Sequence, residues 1–264
     1  MKSSLVRPLY PIIVILFLAG CAHRPPPAAL PPPAAFSEWL PALQERSEHW
    51  KSYQARVHLR AETSEKKVNL DAIVLAKLPD QLRLEVSRLG QTVAVLTLNG
   101  GQPSLFVPSE KVIYTADRSE TLIDHFLGIA LPLDTLGYSL SASLPPDQLD
   151  SLQLSGQDAE WIGYAKPPPG DWSYAWHFLA SPQKIVSASV KRGTLNYAIR
   201  YDPPVGLAAV DVPQKITFTS VQWQIELTVQ EITAAPILQD SVFSSNVAGD
   251  LQHVHLNHPH PENP

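Results

Sequence analysis

Cysteine occurs once in the 264 residues, at Cys21. A single thiol excludes any disulfide within the chain, so the fold must rest on its core. Basic charge is also short: 20 Lys and Arg stand against 25 Asp and Glu, a formal net charge of −5. That balance lacks the cationic surface that phosphate backbones need, and no nucleic-acid partner is expected. No apolar run reaches the roughly 20 residues that cross a bilayer as a helix. The stretch Leu9 to Leu18 is apolar but too short, and it contains Pro11. No GxSxG, HExxH, P-loop or GxGxxG pattern is present. These absences remove the common signatures of hydrolases, zinc peptidases and nucleotide enzymes, and no enzymatic activity is expected.

What is present begins at the N-terminus. Lys2 and Arg7 precede the short apolar stretch, which suits the middle of a secretory signal. The site that follows, Leu18-Ala19-Gly20-Cys21, resembles the lipobox of bacterial lipoproteins. The resemblance implies cleavage before Cys21, a diacylglycerol on its sulfur and an acyl chain on its new amino group. Residues 1–20 are then a signal peptide, and no cofactor beyond these covalent lipids is expected. Several acyl chains anchor firmly, because each buried methylene contributes about 0.8 kcal/mol. Ala22 stands where aspartate would retain such a lipoprotein in the inner membrane. The resemblance therefore implies an outer-membrane lipid anchor with the protein at the periplasmic face.

Proline is plentiful, with 26 residues. Pro25-Pro26-Pro27 and Pro31-Pro32-Pro33 mark residues 21–35 as an extended, semi-rigid tether. Phe36, Trp39, Leu40, Leu43 and Trp50 recur at helical spacing, with Pro41 as the expected first turn. Period-two alternation follows, first over 52–62 and then through Val68, Leu70, Ala72, Val74 and Ala76. Leu82, Leu84 and Val86 alternate next, and the segment 92–98 is apolar on both faces. Strands are also expected near 103–107 and 110–115, and short turns between strands imply an antiparallel meander. Residues 117–129 break the pattern with a helical face of Leu122, Ile123, Phe126, Leu127 and Ile129, capped by Asp117 and Glu120. Pro132 opens a second short helix with Leu133, Leu136 and Leu140. Further strands are expected at 151–163, 172–180, 184–191, 194–201, 214–220 and 224–232. The class is α+β, mainly β: a curved antiparallel sheet of about ten strands with short helices covering its apolar face. Whether that face lines a cavity or packs as a core stays open at this stage.

Asp124-His125 reads as helix surface rather than a catalytic pair. His253, His255, His258 and His260 could ligate a metal only weakly from a flexible His- and Pro-rich tail over 246–264, and no metal site is assigned. Residues 36–245 form the folded domain.

Four segments carry a resemblance in their order and spacing: Tyr53-Gln54-Ala55-Arg56-Val57, Arg88-Leu89-Gly90, Ile113-Tyr114-Thr115-Ala116-Asp117, and Leu127-Gly128-Ile129-Ala130-Leu131-Pro132-Leu133. Together they resemble the LolB-type outer-membrane lipoprotein receptors of the LolA/LolB fold, over roughly residues 36 to 140. The resemblance implies an open half-barrel with helices as a lid over an apolar cavity. It implies reception of acylated lipoprotein cargo from a periplasmic, LolA-like carrier and insertion of the acyl chains into outer-membrane lipid. It also matches Leu89, before Gly90, to a loop leucine that puts cargo into the membrane. Physically, Leu89 either dips into lipid or folds back on the sheet edge. Cavity and lid residues by strand face are Val57, Leu59, Leu70, Leu82, Leu84, Val95, Leu122, Phe126 and Leu127. A carrier or sensor of another lipid and a non-catalytic envelope scaffold are the alternatives.

Overall fold

The alternation of the first half builds a set of long hairpins. β1 (Ser52–Thr63) pairs antiparallel with β2 (Lys67–Lys77), and β3 (Gln81–Arg88) and β4 (Gln91–Asn99) extend the meander. β5 (Gln102–Val107) and β6 (Val112–Ala116) complete it. Tyr53, Ala55, Val57 and Leu59 are buried on one face of β1, as period two requires. Ala72, Val74, Leu82, Leu84, Leu96, Leu98 and Leu105 continue that face across β2 to β5. Each side chain of this size contributes about 1.5–3 kcal/mol when fully buried.

The computed structural model describes residues 34–157, 160–165, 172–179, 183–234, 236–244 and 250–256. Cys21, the signal segment, most of the tether and the Pro167-Pro168-Pro169 loop lie outside the described residues. Among the described residues no helix is long and apolar enough to cross a membrane.

The second half adds β7 (Gln153–Gln157), β8 (Glu160–Tyr164), β9 (Ser173–Leu179), β10 (Lys184–Arg192), β11 (Leu195–Gly206), β12 (Lys215–Thr219) and β13 (Trp223–Ala234). β13 pairs with β1, so the two halves join at the centre of one sheet. With β14 (Gln252–Leu256) the order is β14-β6-β5-β4-β3-β2-β1-β13-β12-β11-β10-β9-β8-β7, with β14 at one free edge and β7 at the other. The fold is mainly β, with one large, curved, unclosed sheet.

The expected count of about ten strands is corrected to 14 among the described residues. The segment read as one strand over 151–163 is a hairpin of two short strands, β7 and β8. The tail assignment is corrected too. β14 (Gln252–Leu256) pairs parallel with β6, and Gln252 N donates to Lys111 O at 3.0 Å. Composition alone hid this strand, because only Val254 and Leu256 carry the alternation among histidines.

Four helices cover the apolar face. α1 (Ala34–His49) continues through Pro41 rather than starting there. Trp39, Leu43, Arg46 and Trp50 are buried along one stripe, and this packing holds the helix against its weak local signal. α2 (Ser119–Leu127) and α3 (Leu133–Ser141) follow their predicted spans, and α4 (Pro146–Ser151) packs against α1. Arg118, not Asp117, is the N-cap of α2, and no side chain caps it. Glu120 instead bonds Arg192 on β10 at 2.5 Å, which ties the start of α2 to the far half of the sheet.

Candidate functional site

The β3–β4 connection is two residues long, Leu89-Gly90, with φ of 51° and 77°. Positive φ at both positions is the twist-matching geometry of a two-residue hairpin. Gly90 adopts it freely, whereas a leucine there carries about 1–2 kcal/mol of backbone strain. Leu89 is 95% exposed, so no packing offsets the strain. An apolar residue held strained and bare at a turn tip points to function rather than stability. The alternative in which Leu89 folds back onto the sheet edge does not occur.

Beside this turn lies a cleft of about 390 Å³. Its walls are His58, Lys67, Val68, Asn69, Leu70, Asp71, Ser87, Arg88 and Leu89. It exists because β2 runs past the end of β3: Asp71 pairs with Ser87, while Lys67 to Leu70 pair only with β1. His58 Nδ1 and Asp71 Oδ1 lie 3.1 Å apart across the β1–β2 ladder, and Lys67 meets Glu62 at 3.1 Å. Both pairs are half-exposed and hold the cleft walls only weakly.

The predicted lining residues divide by face. Val57, Leu59, Leu82, Leu84 and Leu122 belong to the buried core under the helices. Leu70, Phe126 and Leu127 pack against it while half-buried. Phe126 meets Tyr114 edge-on, with ring centroids 4.8 Å apart, and seats α2 on β6. Val95 is a correction. It pairs with Glu85 and Phe106, one residue out of step with the core pair Leu84 and Leu96, so it lies on the opposite face. There the 3-10 turn Asp240–Phe243 covers β3, and Arg83 Nη1 donates to Val242 O at 3.3 Å. Both faces of β4 are apolar, so alternation had no polar side with which to choose.

Of the two readings left open, cavity and packed core, the described residues show packing beneath α3. The space bounded by Thr135, Tyr138, Ser139, Pro145, Tyr174, Trp176 and Ile199 leaves about 0 Å³ for water. α3 closes the mouth by bridging the two halves of the sheet. On one side Tyr53 Oη donates to Gly137 O at 2.6 Å. On the other, Thr135 Oγ1 and Tyr174 Oη share a 2.6 Å hydrogen bond.

This seam is rich in hydroxyls, which the sequence pattern did not flag. Tyr138, Tyr197 and Tyr201 bury hydroxyls with no hydrogen-bond partner. Thr135 and Ser139 come near Tyr197 and Tyr201 without reaching bonding geometry. Burial pushes all three phenols well above their ordinary range. Burial likewise raises the Asp134 carboxyl at the start of α3. An unsatisfied buried hydroxyl costs about 1–3 kcal/mol. Tyr138→Phe should therefore leave stability unchanged or raise it by about 1 kcal/mol, read as the midpoint of chemical unfolding. A loss above about 1 kcal/mol would show that the hydroxyl is satisfied after all.

Asp124 and His125 are exposed on α2, away from the buried seam. His253 and His255 lie exposed on β14, and His258 and His260 fall outside the described residues. Among the described residues no three metal-capable side chains cluster.

The residue that sequence reasoning missed is Arg46, fully buried on α1. It donates to the carbonyls of Ser141, Ala142, Gly206, Ala208 and Asp211 at 2.5 to 3.1 Å. Burial lowers its pKa to about 10, so it stays charged at neutral pH. Its place on the stripe of Trp39, Leu43 and Trp50 was the available signal.

No family model matches the chain, and no curated protein matches its sequence. Solved structures do match its fold. A LolA superfamily protein from Nitrosomonas europaea is 14% identical, with 79% of this chain and 97% of that chain covered at a TM-score of 0.50. A domain from Vibrio parahaemolyticus, assigned only provisionally to outer membrane lipoprotein sorting, is 11% identical over 78% and 96% at 0.54. A DUF1329 family protein from Desulfovibrio piger is 10% identical over 80% and 96% at 0.57. The chain shares the LolA-like fold with these proteins.

Proposed function

We propose that this protein is a lipoprotein receptor. It takes acylated lipoproteins from a soluble periplasmic carrier and inserts their acyl chains into the outer membrane, with no enzymatic step. The protein is itself held at the periplasmic face by lipids on Cys21. The observation that carries the reading is Leu89, bare and strained at the tip of the β3–β4 turn. The LolA-like sheet and its helical cover support it. Transfer needs no energy source where each site along the route holds the acyl chains better than the last.

The filled interior sets one condition: acyl chains must displace α3 from β9–β11. That seam suits displacement, since its orphaned hydroxyls make it the least satisfied contact of the core. The same filled interior favours a second reading, a non-catalytic envelope scaffold that binds no lipid.

A reception assay separates the two. Carrier loaded with a radiolabelled lipoprotein is mixed with this protein carrying Cys21→Ala. The receptor reading predicts that label moves onto the protein. Label that stays on the carrier, with the protein demonstrably folded, removes the receptor reading and leaves the scaffold.

A further inference from the structure

The hairpins of adjacent strands end at one rim of the sheet. β3–β4 ends at Leu89, β1–β2 at Ser64 to Lys66, and β12–β13 at Ser220 to Gln222. The β1–β2 and β12–β13 turns close level with each other, at Glu62–Lys67 and Thr63–Trp223, while β3–β4 closes short of them, where Ser87 pairs with Asp71 opposite His58. Strands tilted by roughly 35–45° to the membrane normal would offset that difference between the two outer turns.

Val221 tops the β12–β13 turn and is 95% exposed, as bare as Leu89. Leu195, at the start of the neighbouring β11, adds a second exposed apolar side chain beside it. The tip is rigid: Ser220 N donates to Trp223 O at 2.9 Å, and the Trp223 ring packs on Tyr197 at 5.6 Å. Between the two apolar tips stands the turn Ser64-Glu65-Lys66, and Arg88 adjoins Leu89. Lys66 and Arg88 are exposed and have no carboxylate partner among the described residues. The opposite rim differs. Its exposed Val210 and Ile237 share that end with Asp80, Asp211 and Asp240.

We infer that this rim is a two-point bilayer contact: Leu89 and Val221 enter the acyl region about four strand spacings apart, and Arg88 beside Leu89 and Lys66 between the tips meet anionic headgroups. Neighbouring strands lie about 4.8 Å apart, so the two tips stand roughly 19 Å from each other across the sheet. Two anchors fix the tilt of the sheet on the membrane, which a single leucine cannot. The tether permits the pose, because the chain from Cys21 to Ala34 spans at most about 45 Å, comparable to the length of β1. The inference deepens the receptor reading and rests on it for the role of Leu89.

The test uses the full-length chain reconstituted in vesicles of phosphatidylethanolamine and phosphatidylglycerol. Val221→Cys, Leu89→Cys and Val210→Cys are each labelled with an environment-sensitive fluorophore. The parent chain, labelled in parallel, accounts for any signal from Cys21. Entry into the bilayer should blue-shift the labels at 221 and at 89, nitroxide-bearing lipids should quench both, and the label at 210 should show neither change. Quenching at 89 with none at 221 overturns the two-point contact and leaves the receptor reading standing. Quenching at neither position overturns both.

Discussion

Leu89→Gly should yield a protein that is more stable and yet unable to insert lipoproteins. Glycine adopts the left-handed backbone of the turn freely, so removing the leucine strain should raise stability by about 1 kcal/mol. The same change removes a side chain worth about 1.5–3 kcal/mol when it leaves water for lipid. Leu89→Glu should go further, because a carboxylate carried into hydrocarbon adds a penalty of several kcal/mol. Reception from the carrier should persist in both variants, since Leu89 is no part of the core. Delivery of label from the protein to vesicles should fall by about a hundredfold or more in Leu89→Glu, as about 3 kcal/mol corresponds to that factor. Stability and delivery moving in opposite directions is a result that no structural role for Leu89 produces. If Leu89→Gly loses stability, or Leu89→Glu delivers normally, the turn has another purpose.

Arg46→Met should destabilise the fold more than any other single change considered. The guanidinium satisfies carbonyls from α3, from the end of β11 and from the loop that follows, so one side chain fastens three segments to α1. Methionine keeps the stem and removes every donor. Deleting one side of a buried charged network costs about 3–5 kcal/mol, and the several carbonyls that lose this donor place the site at the upper end. For a domain of this size that is a fall of roughly 10 °C or more in Tm. Arg46→Lys should rescue little, because an ammonium cannot reach the planar spread of acceptors. Differential scanning calorimetry of the two variants reads both effects. A loss under about 1 kcal/mol for Arg46→Met would mean that water replaces the clamp without difficulty.

How much of this was legible before the structure depends on what each residue advertises. β1 to β3 follow from alternation because each has one polar and one apolar face, as in Tyr53, Ala55, Val57 and Leu59 set between Gln54, Arg56 and His58. Val95 was misplaced because β4 lacks that contrast. β14 hid because its pattern is only two residues deep and its partner β6 lies far back in the chain, a parallel pairing that no local turn signals. Arg46 was invisible for a different reason: charge marks a surface in any pattern reading, and only its five backbone acceptors explain its burial. The filled interior could not be read at all, since an apolar strand face looks the same whether it lines a space or a core. Leu89-Gly90 was singled out through family resemblance alone, and its exposure and strain are visible only in the backbone.

Acyl chains that enter the interior by displacing α3 can be caught there by photocrosslinking. A carrier-bound lipoprotein whose acyl chains end in a photoactivatable group is mixed with the protein, irradiated and digested. Mass spectrometry then locates the adducts. Adducts are expected on the inner face, at Leu122, Leu133, Tyr174 or Trp176, and none at Val95 on the opposite face. Adducts confined to the outer face, or none while the carrier itself is labelled, would contradict entry beneath α3 and leave the protein as a closed scaffold.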